Sequence, residues 1–219
     1  MEEQQIIEEF KLFLKDKSYP CVAAKAALDR EQLDFFVAEH MACPSDDKKI
    51  LQFLYNFIDV YRTAEKFYHT AIIIFKGPEI YNEDMFENLM WQRLQALSDL
   101  DSEKYHDDKR VASDPNDPHY SYSIKEEAFF INGMHPASGR RSRQFKFPCL
   151  VMNPHQQFVK LKEMNKYFKM RKSIRVKDEA YCGSENVMAR DFYFDPETFQ
   201  YSGRIYNRDW KCPLKKRMQ

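Results

Sequence analysis

The chain has 219 residues, of which 43% are hydrophobic, 31% charged and 15% aromatic, and its 34 basic and 34 acidic side chains cancel to a formal net charge of zero. That length predicts one domain over residues 1–219 with one sizeable core, and the charge balance excludes the global field that would draw the protein onto nucleic acid or an anionic membrane. No stretch approaches the ~18 apolar residues of a membrane span, and residues 1–10 carry acids where a secretory leader would carry an apolar run.

Ile6, Ile7, Phe10, Phe13 and Leu14 recur at helical spacing and predict an N-terminal helix within residues 1–18. Ser18-Tyr19-Pro20 interrupts it, and a small-residue helix begins at Cys21. Residues 33–37 are too short a run to assign. Pro44-Ser45-Asp46 signals a helix start, and Ile50, Leu51, Leu54, Phe57, Ile58 and Tyr61 form an apolar stripe behind it. Residues 71–75 read as a buried β-branched strand ending at Gly77-Pro78. Asn82 or Asp84 caps a third helix bearing Phe86, Leu89, Met90, Leu94 and Leu97. Residues 98–118 are dense in Asp and predict a long acidic surface loop.

Residues 120–124 and 128–131 predict paired strands around the turn Lys125-Glu126-Glu127. Residues 147–152 predict another buried strand, with Pro154 as the first residue of a helix running from His155 to Tyr167. The remainder reads as irregular, including the aromatic run Phe192-Tyr193-Phe194, and residues 205–219 as a peripheral basic tail. These elements predict an α+β fold: a single domain whose mixed or antiparallel sheet has helices packed against it. The five cysteines are scattered and never form CxxC, so neither a disulfide framework nor a structural zinc is expected. A reducing cytoplasm is the expected setting.

Four blocks carry candidate chemistry. In His135-Pro-Ala-Ser-Gly-Arg140-Arg141-Ser-Arg143, a histidine able to ligate metal stands beside three arginines able to pair carboxylates or phosphates. This suits haem ligation with propionate capture, or a phosphate site; surface arginines and a turn histidine are the ordinary alternative. In Asn153-Pro154-His155-Gln156-Gln157-Phe158, the helix N-terminus disfavours imidazolium, leaving His155 able to coordinate iron or accept a proton. A capping histidine explains the same pattern. Glu87 and Trp91 share one helical face, an arrangement suited to a cationic guanidinium or amine and equally to a core helix. Cys21 at a helix start is a candidate thiolate of lowered pKa, able to ligate haem as in P450-type chemistry, or an inert core thiol. Nucleotide-binding and hydrolase motifs such as GxGxxG, Walker A, HExxH and GxSxG are missing.

Taken in order, residues 19–28 (YPCVAAKAAL), Phe86-Glu87 with Trp91, Gly133-Met-His135-Pro with the arginine run, the block 153–158, Ile174-Arg175-Val-Lys-Asp178 and Gly183-Ser-Glu-Asn186 resemble the YqcI/YcgG family. This family includes haem-dependent N-hydroxylases acting on a guanidino nitrogen. The resemblance implies a haem iron with O₂ as co-substrate, a small cationic substrate such as an arginine derivative, and a separate electron-donor protein or reductant. A homodimer is the default for such an enzyme. The resemblance further implies that His135 or His155 is the proximal ligand. The order preferred first puts His135 proximal with Arg140, Arg141 and Arg143 on the propionates, His155 and Gln156 distal, and Glu87 with Asp178 anchoring substrate; the swapped order of the histidines stays open. Gly139 stands where the family pattern has serine, and Val187 where it has proline. A non-catalytic haem carrier or sensor and a cofactor-free interaction module are the rival readings.

Overall fold

The computed structural model describes residues 1–64, 68–188 and 195–215; Phe192-Tyr193-Phe194 and the last four residues of the basic tail lie outside these. The described residues form one five-stranded sheet in the order β1-β2-β5-β4-β3, built from β1 (Leu33–His40), β2 (Thr70–Gly77), β3 (Tyr122–Ile124), β4 (Glu127–Met134) and β5 (Cys149–Pro154). The β1–β2 pair is parallel and the other three pairs are antiparallel. The sheet is therefore mixed and the fold α+β. Residues 33–37, ambiguous from their sequence, extend to an eight-residue strand because parallel pairing with β2 supplies the ladder that local propensity leaves undecided.

Strand alternation sends successive side chains to opposite faces and divides the core in two. Ile73 and Phe75 of β2, Phe129 and Ile131 of β4, and Leu150 and Met152 of β5 meet α3 (Asp47–Thr63) and α4 (Glu83–Ser102). The stripe predicted for α3 is buried as expected. Asn82 caps α4 by accepting the Met85 N–H at 2.8 Å. On the opposite face, Ile72 and Ile74 meet Ile6, Phe10 and Leu14 of α1 (Glu3–Lys15), with α2 (Val22–Asp29) alongside.

Three local expectations change. The β3–β4 turn is two residues long: Lys125 and Glu126 both adopt positive φ, the pairing of conformations that matches strand twist in a tight hairpin, so Glu127 joins the strand and is buried. The acidic segment after α4 is not all surface. Asp108 is buried and accepts from the Ala128 N–H (3.0 Å) and from Arg110. The C-terminal segment is docked as far as residue 215: Cys212 and Leu214 are buried, and Trp210 stacks on Tyr206 with ring centroids 4.1 Å apart.

The largest departure is α6 (Tyr167–Cys182), a sixteen-residue helix in a region that reads as irregular. It follows α5 (His155–Glu163) and ends at Gly183, whose φ of 77° is the left-handed cap that glycine adopts without strain. A short α7 (Thr198–Tyr201) lies against β4. No helix among the described residues is long and apolar enough to cross a membrane.

Gly133 marks a close approach between sheet and helix. A Cβ there would lie 2.6 Å from the Phe86 ring and 2.9 Å from the Tyr201 carbonyl. Gly133→Ala is expected to cost about 1–3 kcal/mol through overpacking, read as a lower urea midpoint at unchanged slope; an unchanged midpoint would show that α4 and α7 yield freely.

Candidate functional site

Between the α1 face of the sheet and the helices lies a cavity of about 290 Å³, near the lower edge of the ~300–1,000 Å³ common for small-molecule sites. Its floor is Ile72, Phe130, Asn132, Met134, Val151 and Asn153, the residues that alternation turns toward this face. Phe10 and Leu14 of α1 and Tyr19 to Ala24 around the start of α2 form one wall. Phe158 and Leu161 of α5, with Tyr167, Arg171, Ile174, Arg175 and Asp178 of α6, form the other.

The composition of α6 explains why its sequence hides it. Arg171, Ile174, Arg175 and Asp178 recur at helical spacing and share one face, but that face borders a cavity. Its inward positions are therefore mixed, with Tyr167, Met170 and Ile174 interleaved with Arg171, Arg175 and Asp178, and charge dilutes the apolar stripe that a periodicity reading seeks. The i, i+3, i+4, i+7 recurrence of mixed polar residues is the signal that was present.

Most polar groups on the floor are bonded to one another. Thr70 donates to Asn153 (3.2 Å), Gln157 donates to the His69 carbonyl, and Arg143 donates to Asn132 (3.2 Å) and to the Gly133 (3.2 Å) and Tyr201 (3.0 Å) carbonyls. Arg143 thus lies inside the protein on neutral acceptors. Burial lowers its pKa to about 10, so it remains a cation at neutral pH. Arg175 also borders the cavity and has no carboxylate partner among the described residues. Asp178 is the one acidic side chain among the described lining residues; it accepts from Arg140 and, at 2.6 Å, from Ser142.

The arginine run is split three ways. Arg140 binds Asp178 and the Ser184 and Glu185 carbonyls beyond α6, Arg141 lies over the Tyr181 ring at 4.3 Å, and Arg143 enters the cavity wall. Gly139, the departure from the family pattern, donates its N–H to Glu83 at 2.7 Å, and a Cβ there would lie 3.1 Å from the same carboxylate. Val187 is exposed.

Neither histidine lines the cavity among the described residues. His135 lies on the α4 face with Gly133, its ring stacked on Phe86 at 4.1 Å. Its Nδ1 is buried without a hydrogen-bond partner. His155 starts α5, with Nδ1 2.9 Å from the Ser121 hydroxyl and 3.2 Å from the buried Glu197 carboxylate. Ser121 donates to that same carboxylate at 2.8 Å. This arrangement holds the proton on Nδ1 and leaves Nε2 as the basic nitrogen. Gln156 accepts from Arg110 at 3.2 Å, outside the cavity lining.

Glu87 and Trp91 do share a face, and Trp91 donates to Glu87 at 3.3 Å, but both belong to the α4 side of the sheet. The cation on Glu87 is the chain's own Arg204, at 2.7 Å. Cys21, by contrast, does line the cavity. It caps α2, accepting the Ala24 N–H at 3.4 Å. Its pKa moves opposite to the lowering expected of a helix-start thiol, because burial raises it more than the Ala24 and Ala23 N–H groups lower it.

The fold is thus an α+β one, a mixed sheet with a helix-roofed, aromatic and arginine-lined cavity on one face. A family model described as the YqcI/YcgG family matches residues 10–215, so the chain belongs to that family. It is 28% identical over 173 residues, 76% of this chain and 67% of the other, to Uncharacterized protein YqcI of Bacillus subtilis (strain 168). It is 25% identical over 200 residues, 89% of this chain and 74% of the other, to Uncharacterized protein YcgG of the same organism. No solved structure matches.

The buried His135 yields a pH prediction. Burial, then the nearby Arg143 charge, lowers its pKa from 6.5 to about 4. The unfolded chain therefore binds more protons than the native one in that interval. The contribution is fully present above pH 6.5 and is lost as pH falls toward 4, by about 3 kcal/mol at most. Urea unfolding across this range should show the loss in the wild type and not in His135→Leu; parallel losses in both would place the acid sensitivity elsewhere.

Proposed function

We propose that the protein is a haem-dependent oxygenase that N-hydroxylates an amino or guanidino group of a small cationic substrate, with the cavity as its site. The observation that carries the reading is the donor set around that one cavity. A macrocycle with two carboxylate arms needs apolar walls, cations and an axial donor. Phe10, Phe130, Phe158, Ile72, Val151 and Ile174 supply the walls, and Arg143, Arg171 and Arg175 the cations. Cys21 is the candidate axial donor.

Tyr19 and Tyr167 also line the cavity, but burial raises Tyr19 well above the ordinary phenol and takes Tyr167 to about 12. A thiol is the cheaper proton to remove, iron itself drives that loss, and the backbone N–H groups of α2 receive the resulting charge. The axial role expected of His135 or His155 thus falls to Cys21 in this proposal. No imidazole pair borders the cavity among the described residues, which favours an oxygenase over a bis-histidine carrier or sensor.

When bound, haem would supply O₂ activation. The balance is one O₂, two electrons and two protons: one oxygen atom enters the N–H bond to give N–OH, and the other leaves as water. The chain's own residues position the reactants. Asp178, the one carboxylate of the described lining, would share its charge between Arg140 and the cationic nitrogen, the role first expected of Glu87, while the arginines take carboxylates and the aromatic walls exclude water. Arg171 and Asp178, seven positions apart, lie about 10 Å apart along the helix, a span suited to a substrate with a carboxylate at one end and a cationic nitrogen at the other.

The test is the absorption spectrum of protein expressed with a haem precursor, recorded ferric and then ferrous under CO. The wild type should show a Soret band whose CO form lies at the long wavelength of thiolate-ligated haem, and Cys21→His should move it to the shorter wavelength of histidine ligation. No Soret band after haem addition would overturn the cofactor reading. A band indifferent to Cys21 substitution would overturn the assigned ligand.

A further inference from the structure

The outer side of the cavity's roof has its own chemistry. Along α5 and α6, Lys160, Lys166, Lys169, Lys172 and Lys177 are exposed, against exposed Glu163 and Glu179. None of these five lysines has a carboxylate partner among the described residues, whereas Lys11, Lys49, Lys76, Lys125 and Lys146 each do. Among them stand three exposed large apolar side chains, Met164 at 47%, Phe168 at 54% and Val176 at 60%. Phe168, Lys172 and Val176 follow one another at four-residue steps along α6, which on a helix is a single line, and Met164 precedes them at the end of α5. The chain as a whole is neutral, so this unpaired cationic patch with apolar residues in it is a local feature. Charge steers encounter and exposed apolar groups supply the contact.

We propose that this face of α6 is the docking surface for an acidic electron-transfer protein carrying a flavin or an iron–sulfur cluster. The inference rests on the oxygenase reading, which requires two electrons per turnover from outside a chain with no flavin or iron–sulfur motif of its own. Such a donor would supply them one at a time to a haem held in the cavity, and α6 is the element that lies between this surface and the cavity: Arg171, Ile174, Arg175 and Asp178 face inward while Phe168, Lys169, Lys172 and Val176 face out. Redox encounters of this kind use small, charge-steered interfaces. An anionic membrane is the competing occupant of a basic helix bearing Phe and Val, but a surface-bound helix keeps its cations off the apolar line, and here Lys172 sits in the middle of it.

The experiment uses the full chain, wild type and Lys169→Glu/Lys172→Glu, with a purified plant-type ferredoxin and its reductase as the probe. Binding of ferredoxin by biolayer interferometry needs no haem. It is expected to weaken roughly tenfold in the variant and to fall with salt in the wild type. In haem-loaded protein, ferredoxin-driven reduction trapped by CO should slow by a similar factor, while reduction by dithionite and the Soret spectrum stay unchanged. Equal ferredoxin binding and reduction in wild type and variant would overturn the docking surface with haem intact. Absence of haem is seen separately, in the static spectrum. Co-sedimentation with phosphatidylserine-containing vesicles, without ferredoxin binding, would overturn the proposal in favour of a membrane face.

Discussion

The ion pair between Arg140 and Asp178 is the constraint on which the cavity depends. Arg140 belongs to the connection between β4 and β5, and Asp178 to the last turns of α6. Both side chains are nearly buried, and Ser142 adds a second bond to the same carboxylate. Breaking a buried pair by removing one partner leaves an uncompensated charge, so α6 is fixed against this loop at its C-terminal end. The Arg140 bonds to the Ser184 and Glu185 carbonyls extend the clamp past the helix end. Tyr181 ties the same region to α1 by donating to Asp16 at 3.0 Å. A helix held in this way need not press an apolar face onto the sheet, and the space left beneath it is the cavity.

Arg143 shows the cost of that design. A guanidinium bonded to carbonyl and amide oxygens exchanges water for neutral partners, and burial lowers its pKa by more than the nearby Asp178 charge raises it. Its neighbours admit no easy substitute. A Cβ on Gly203, which sits at a φ of 84°, would lie 2.6 Å from the Arg143 side chain. The backbone of residue 203 is thus shaped around this arginine. An anionic group placed in the cavity would meet this cation directly.

Where burial and periodicity coincide, the sequence was enough. The stripes of α1, α3 and α4, the β-branched run of β2 and the cap at Asn82 all follow from local chemistry, and their packing places them as expected. Where an element serves the cavity, periodicity failed. α6 presents arginines and an aspartate inward, and the tail beyond residue 205 docks through isolated aromatic and thiol contacts that no repeat announces. The candidate residues were legible in part. Cys21, Arg143 and Asp178 meet at one cavity although they are far apart in the chain, but spacing could not tell which side of a strand His135 would take. One residue of register separates Met134, on the cavity floor, from His135, which stacks on Phe86 across the sheet.

That single step also accounts for the unusual state of His135. Facing the cavity it would have stood among the polar groups of the floor, such as Asn132 and Asn153. Facing Phe86 it has an aromatic plane at 4.1 Å and an Nδ1 with no partner. A neutral ring tolerates this environment and a cation does not, since burial and the Arg143 charge act in the same direction. The backbone N–H of His135 meanwhile donates to the Arg143 carbonyl at 3.0 Å, closing the loop that aims Arg143 at the cavity. His135 therefore acts through the position of the loop it begins, with its ring wedged against α4 and its backbone setting the arginine that borders the cavity.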